Sequence, residues 1–256
     1  MMVRALVVLL VLAAPAAAAA ATADQVTRGL HLYGRYCSSC HGPNGSGQAR
    51  SGSTRAGGGP ARDQQVQAGL GPTLVGVGAR AADFYLRTGY MPLKRAGLQP
   101  RRSRLLLGPQ EIDALIAYVA SLGKGPPVPR PRPERGNLSE GQHLFTQHCA
   151  GCHQVVAEGG YVTGAVPPPL EDATAVQIAE AVRIGPYVMP VFSERQISNA
   201  EVDSIVRYVQ WAKHPDDRGG WSLGHVGPVP EGLVTWFLAM SVLVGVCLAI
   251  GTRLRG

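Results

Sequence analysis

The stretch GLHLYGRYCSSCH at residues 29–41 returns 112 positions later as GQHLFTQHCAGCH at residues 141–153, with six of the thirteen positions identical. Each copy ends in two cysteines three apart, with a histidine directly after the second: Cys37, Cys40 and His41, then Cys149, Cys152 and His153. Residues i, i+3 and i+4 share one face of a helical turn. Two thiols and an imidazole are therefore offered on one side of the chain, twice. The flanking sequence repeats as well. RTGYMP (87–92) matches RIGPYVMP (183–190), and Ile112, Leu115, Ile116 and Val119 match Val202, Ile205, Val206 and Val209. These last positions fall at i, i+3, i+4 and i+7, the apolar stripe of an amphipathic helix. Tyr118 and Tyr208 match beside them. Each half predicts the order helix, Cys/His turn, Pro-containing loop, short helix, Met-Pro, final helix.

The repeat divides the chain into an all-α domain 1 at residues 24–125 and an all-α domain 2 at residues 137–213. Between them, GPPVPRPRPERG (125–136) reads as a semi-rigid extended linker, residues 126–136. Pro109 suits the first turn of one final helix, with Gly123 ending it, and Ser198 with Glu201 forms a capping box for the other. Gly29 with Tyr33, and Gly141 with Phe145, are placed to let each first helix cross the last one closely, against Tyr118 and Tyr208. The halves differ in length at two places. His41 to Pro72 is 31 residues, whereas His153 to Pro168 is 15, so domain 1 carries a Gly/Ser/Arg-rich surface loop at residues 42–71. Eight further residues fall between Met91 and Tyr118, around Gln99, Pro100, Arg101 and Arg102.

The chain ends are apolar. Arg4, the apolar residues 5–14 and the A-x-A site Ala21-Thr22-Ala23 read as a signal peptide over residues 1–23, with Asp24 as the first mature residue. The apolar stretch is also long enough to serve as an uncleaved anchor. At the other end, LVTWFLAMSVLVGVCLAIG (233–251) carries no charge and spans about 28 Å as a helix, close to the hydrocarbon thickness. Residues 233–252 are expected to cross the membrane once, after a Gly/Pro-rich juxtamembrane segment at 214–232. Arg253 and Arg255 in the tail 253–256 place the C-terminus in the cytoplasm and both domains on the extracytoplasmic side of the cell membrane. Cys247 lies inside the span and reads as a small apolar residue.

C-x-x-C-H is the attachment motif of haem c. The two thiols bond one porphyrin and the adjacent His reaches its iron, so the expectation is two covalent haem c groups, on Cys37 and Cys40 and on Cys149 and Cys152. His41 and His153 are the proximal iron ligands. Zinc is the rival chemistry for four Cys and two His, but neither half supplies the second ligand pair that zinc sites use. Disulfides suit an exported chain and leave the His after each pair unexplained. Beyond the signal peptide the chain holds three methionines. Met240 is in the membrane span, and Met91 and Met189 occur once per half, each before Pro and downstream of its Cys/His turn. That distribution makes them the second axial ligands. His/Met ligation favours electron transfer and leaves no open site for oxygen or substrate, which argues against a haem-based sensor. His31 and His143 are the alternative axial ligands, although each lies ten residues before its His on the same helix. Pro72 and Pro168 are placed to offer a backbone carbonyl to the free N–H of each proximal His.

Net charge is +7, with 24 basic against 17 acidic residues. A basic chain invites a nucleic-acid reading, but the charge is unevenly spread. Domain 1 carries +8, the linker +2 and domain 2 −4. The expectation is two docking faces of opposite sign, and no nucleic acid.

Each half resembles a class I cytochrome c domain. The full arrangement of signal, two C-x-x-C-H domains, GGWSLGHVGPVPEGLVTWF (219–237) and one membrane helix resembles the dihaem cytochrome c subunits of actinobacterial cytochrome bc1 complexes. The resemblance implies an electron-transfer subunit of a menaquinol–cytochrome c reductase with no turnover site of its own. Its implied partners are a cytochrome b subunit, a Rieske iron–sulfur subunit and an aa3-type cytochrome c oxidase. Electrons would pass from the Rieske protein to haem 1, then haem 2, then the copper A centre of the oxidase. A membrane-anchored dihaem cytochrome c serving another dehydrogenase or oxidase is the second reading.

Overall fold

The computed structural model describes residues 22–47, 71–93, 98–213 and 228–255. The expectations for residues 1–21 of the signal peptide, for most of loop 42–71 and for most of the juxtamembrane segment lie outside the described residues; Thr22 and Ala23, the last two residues of the signal reading, begin the first helix. Among the described residues the fold is helical, with only an isolated antiparallel bridge between Val162 and Ala165.

Domain 1 contains α1 (Ala23–Tyr36), α2 (Ser38–His41), α3 (Gly78–Arg87) and α4 (Pro109–Ser121). Domain 2 repeats the order with α5 (Leu138–His148), α6 (Ala150–His153), α7 (Ala175–Ile184) and α8 (Asn199–Lys213). Local chemistry sets the ends. A Thr22/Gln25 capping box opens α1, and Pro109 takes the first turn of α4. Ser198 and Glu201 cap α8 reciprocally, at 2.7 and 3.3 Å. Gly123 does not reverse the chain in a left-handed turn. It lies beyond the Leu122 cap, where a side chain would press on Gly76.

In each domain the first helix crosses the last at a glycine. A Cβ on Gly29 would overlap the carbonyl of Ala114, and one on Gly141 the carbonyl of Ser204. One turn later an aromatic pair closes the crossing, with Tyr33 on Tyr118 at 5.0 Å between centroids and Phe145 on Tyr208 at 5.3 Å. Around these pairs two small cores form. One holds Leu115 and Val119; the other holds Ile178, Ile205, Val206 and Val209.

The linker is extended, as its prolines dictate, apart from a 3-10 turn at Pro133–Arg135. Both its ends are docked. The Arg80 N–H donates to Pro126 O at 3.1 Å. The Arg132 N–H donates to Asp203 at 2.6 Å, and the Arg207 guanidinium donates to Gly136 O at 2.6 Å. The two domains also meet directly, through α3 against α7. The eight-residue insertion of domain 1 makes part of this contact. Gln99 pairs with the backbone of Val166 through two hydrogen bonds, 2.7 Å to its O and 2.9 Å from its N–H. Arg102 donates to Gln177 at 2.9 Å.

Helix α9 (Pro228–Arg255) carries an apolar span at Gly232–Leu254, slightly longer than the sequence reading of 233–252, as it takes in Gly232 and runs past Arg253 to Leu254. Among the described residues, none buries the most apolar part of this span.

The crossings generate a paired test. Gly29→Ala should cost about 1–3 kcal/mol by overpacking. Gly34→Ala, on the exposed face of α1 with nothing within 4 Å of the new methyl, should gain roughly 0.5–1 kcal/mol from helix propensity. Thermal unfolding of the two variants should show shifts of opposite sign.

Candidate functional site

Two sites are built in the same way. In domain 1, α1 hands its last turn to α2: the Cys37 N–H donates to Tyr33 O at 2.9 Å, and the N–H groups of Cys40 and His41 donate to Cys37 O at 3.1 and 2.9 Å. In domain 2, the Cys149 N–H donates to Phe145 O at 2.8 Å, and those of Cys152 and His153 to Cys149 O at 3.0 and 2.9 Å. The i, i+3, i+4 arrangement is thus a closed helical turn in both copies. The chain then leaves the turn through a positive-φ, extended residue, Gly42 at φ 77° and ψ 164° and Gln154 at φ 60° and ψ 163°. For Gln154, which is not a glycine, that conformation costs on the order of 1–3 kcal/mol. A buried phenol secures the loop in each domain: the Tyr33 hydroxyl donates to Gly42 O at 2.6 Å, and the Tyr208 hydroxyl to Val155 O at 2.7 Å. These are the polar ends of the two crossing pairs, contributed by the first helix in domain 1 and by the last in domain 2.

Each histidine is oriented by a proline carbonyl. The His41 Nδ1–H donates to Pro72 O at 2.8 Å, and the His153 Nδ1–H to Pro168 O at 3.0 Å. The acceptor strands are themselves held. Gly71 donates to Cys40 O at 2.8 Å and packs so close to His41 that a side chain there would strike Nδ1. Gly160 donates to Pro167 O at 3.1 Å. This bonding assigns the Nδ1–H tautomer and leaves the Nε2 lone pair of each ring available to a metal. Burial pushes the Cys37 thiol up to about 11 and the Cys149 thiol up to about 12, with the neighbouring Cys40 and Cys152 adding to it. Burial also lowers the pKa of His153, partly offset by its bond to Pro168, which favours the neutral imidazole.

Met91 and Met189 lie on the loops that follow α3 and α7. The Met91 N–H donates to Tyr85 O at 3.0 Å, and the Met189 N–H to Pro186 O at 3.1 Å. Met189 packs against the same core as Cys149 and Phe192, and Arg183 fixes this loop by donating to Phe192 O at 3.1 Å. His31 and His143 lie on the exposed faces of α1 and α5, away from the crossings.

The donor set fits haem c. Each turn gives two thiols, which are not in disulfides, and one imidazole with a free Nε2. Among the described residues no three His, Cys, Asp or Glu side chains converge as a cation site, whereas zinc sites use four ligands. Chain neighbours of the ligand candidates, Val155, Val188 and Val191, are about half exposed, apolar surface that a macrocycle would cover. Sequence reasoning marked Gln99 and Arg102 only as part of an insertion and missed Gln177, Asp83 and Glu180 between the domains. For Glu180 the available signal was the register of the repeat, which aligns it with Phe84 at an offset of 96.

Two cytochrome families match successive parts of the chain. Residues 26–123 match the cytochrome c family, and residues 136–209 match the family described as cytochrome c oxidase, cbb3-type, subunit III. The cytochrome bc1 complex cytochrome c subunit of Mycobacterium tuberculosis is 36% identical over 235 residues, covering 88% of this chain and 77% of that protein. The protein of the same name from Corynebacterium diphtheriae is 32% identical over 256 residues, covering 91% and 84%. The Cbb3-type cytochrome c oxidase subunit CcoP of an Azospirillum strain is 27% identical over 201 residues, covering 71% and 60%. With two cytochrome c domains, a C-terminal apolar helix and identity at this level along most of its length, the chain belongs to the family of cytochrome bc1 complex cytochrome c subunits.

Proposed function

We propose that the chain is the dihaem cytochrome c subunit of a respiratory menaquinol–cytochrome c reductase. It would take electrons from a Rieske iron–sulfur protein in domain 1 and pass them through domain 2 to the copper A centre of an aa3-type oxidase. The observation that carries this reading is the 32–36% identity over 88–91% of the chain. Haem c held at each Cys/His turn would supply a one-electron iron centre. The chain's own residues do the rest. Cys37 with Cys40, and Cys149 with Cys152, would hold the two groups covalently. Pro72 and Pro168 aim the Nε2 of His41 and His153 at the metal each group would carry, and Met91 and Met189 would be its other ligands. A thioether has no proton to lose, so the buried settings of Cys37 and Cys149 suit the bonded sulfur.

Helix α9 anchors the chain in the cell membrane, with Arg253 and Arg255 keeping its C-terminus cytoplasmic and both domains on the other side. Tethering two centres on one anchored chain gives the high effective concentration that a diffusing carrier lacks. The excess of basic residues in domain 1 and of acidic residues in domain 2 suits different partner surfaces. A second reading, a membrane-anchored dihaem cytochrome of a different oxidase, is favoured by the match of residues 136–209 to a cbb3-type subunit.

Purification through a tag on this chain in mild detergent separates the two readings. A cytochrome b and a Rieske protein should accompany it; their absence, with a cbb3-type oxidase in their place, would favour the second. Met91→Ala and Met189→Ala should each lower one reduction potential and admit carbon monoxide at one iron. An unchanged spectrum would remove that methionine from the ligand set.

A further inference from the structure

Between the domains lies a carboxyl pair that the electron-transfer reading does not use. Glu180 on α7 is 0% exposed, and neither of its carboxylate oxygens has a hydrogen-bond donor. Asp83 on α3 of the other domain, 6% exposed, faces it within hydrogen-bonding reach. Packing alone does not call for an acid there. At the equivalent position domain 1 has Phe84, buried among Tyr85 and Tyr90, and at the equivalent of Asp83 domain 2 has Ala179. A buried carboxylate without a partner costs several kcal/mol, on the order of the stability of a small domain, unless it is neutralised.

Of the neighbouring cations, Arg87 and Arg102 are bonded to other groups, and Arg80 acts on Glu180 through its charge. Arg87 of α3 donates its Nε to Asp83 at 2.8 Å and its Nη2 to Asp113 of α4. Arg80 of α3 feels Arg183 of α7, Glu180 itself and Glu194, so its charge is shared among them. Arg102 of the insertion is bonded to Gln177, one turn before Glu180. We propose that Asp83 and Glu180 form a proton-binding site between the two domains, in which Glu180 carries the proton and donates it to the Asp83 carboxylate. Arg87 then balances the single negative charge of the pair. A polar group that would otherwise be orphaned becomes the donor of an interdomain hydrogen bond.

The energetics follow from linkage. Burial, then the Asp83 charge, pushes Glu180 up to about 9, and Arg87 and Arg80 only partly offset this. The folded, docked chain therefore holds a proton that the unfolded chain releases near 4.5. The stability associated with it is complete below about pH 4.5 and declines as pH rises through about 9, by tenfold in the folding constant per pH unit within that window. Above the window two carboxylates would face each other across the contact of α3 with α7. None of this depends on which redox partners the chain serves.

The test uses the purified full-length chain with its haems, in detergent. Infrared spectra should show a protonated-carboxyl C=O band at about pH 7 that is lost with a midpoint near 9. The band should be absent in Glu180→Gln, and its midpoint should fall in Asp83→Asn. Urea unfolding should give a wild-type folding constant that drops relative to Glu180→Gln by about tenfold per pH unit between about pH 5 and 9. A spectrum without the band at neutral pH, a band that survives Glu180→Gln, or parallel pH profiles for the two proteins would overturn the proposal. A midpoint unmoved in Asp83→Asn would overturn the shared site. If the variants do not fold, the wild-type infrared titration decides alone.

Discussion

The carbonyls of Ala114 and Ser204 occupy the space that side chains would take at Gly29 and Gly141. That backbone-to-backbone approach brings the first and last helix of each domain together. The last turn of the first helix runs straight into the Cys/His turn, so its position fixes where two thiols and an imidazole point. The ring pairs Tyr33–Tyr118 and Phe145–Tyr208 close the crossing and then reach out with a hydroxyl to hold the next loop. The domains are small and poor in large apolar residues, so this close crossing replaces bulk with fit. A covalent macrocycle would add the apolar volume the chain lacks.

The second organising contact joins the domains. Gln99 holds the backbone of Val166, two residues before Pro168, whose carbonyl orients His153. A residue of domain 1 thus steadies the acceptor strand of the domain 2 site. The linker ends, Arg102 with Gln177, and α3 against α7 add to the same surface. The insertion that lengthens domain 1 relative to its repeat is therefore part of what holds domain 2 in place. Two candidate iron sites on one docked pair of domains is an arrangement suited to relay.

Much of the architecture was legible because its signals are local and periodic. The spacing of C-x-x-C-H, the apolar stripe at Ile112 and Val202, the Ser198/Glu201 cap and the Gly/aromatic pairs at the crossings each carry their geometry in residue type. Pro72 and Pro168 could be read as acceptors because a His that binds a metal needs a partner for its other nitrogen. The interdomain surface was not legible in this way. Gln99 bonds backbone atoms of Val166, and a backbone acceptor leaves no mark on residue type. Arg102 lies in a Pro/Arg loop with no period. Glu180 breaks the apolar character of α7, yet a lone acid on a helix reads as a solvated position until the structure shows what covers it. For Glu180 the repeat register held the clue, its replacement of Phe84.

Charge completes the picture. The basic excess, which at first suggests nucleic acid, belongs chiefly to domain 1 and the linker, while domain 2 is acidic. With membership in the cytochrome bc1 complex cytochrome c subunit family, that distribution suits an anchored carrier meeting different partners at its two ends. The most direct measurement of the account is the haem content of the purified full-length chain by pyridine haemochrome, compared with a Cys149→Ser, Cys152→Ser variant. The account predicts two acid-stable c-type haems per chain, falling to one in the variant. A single haem in the native chain, or haem extractable by acid acetone, would contradict it.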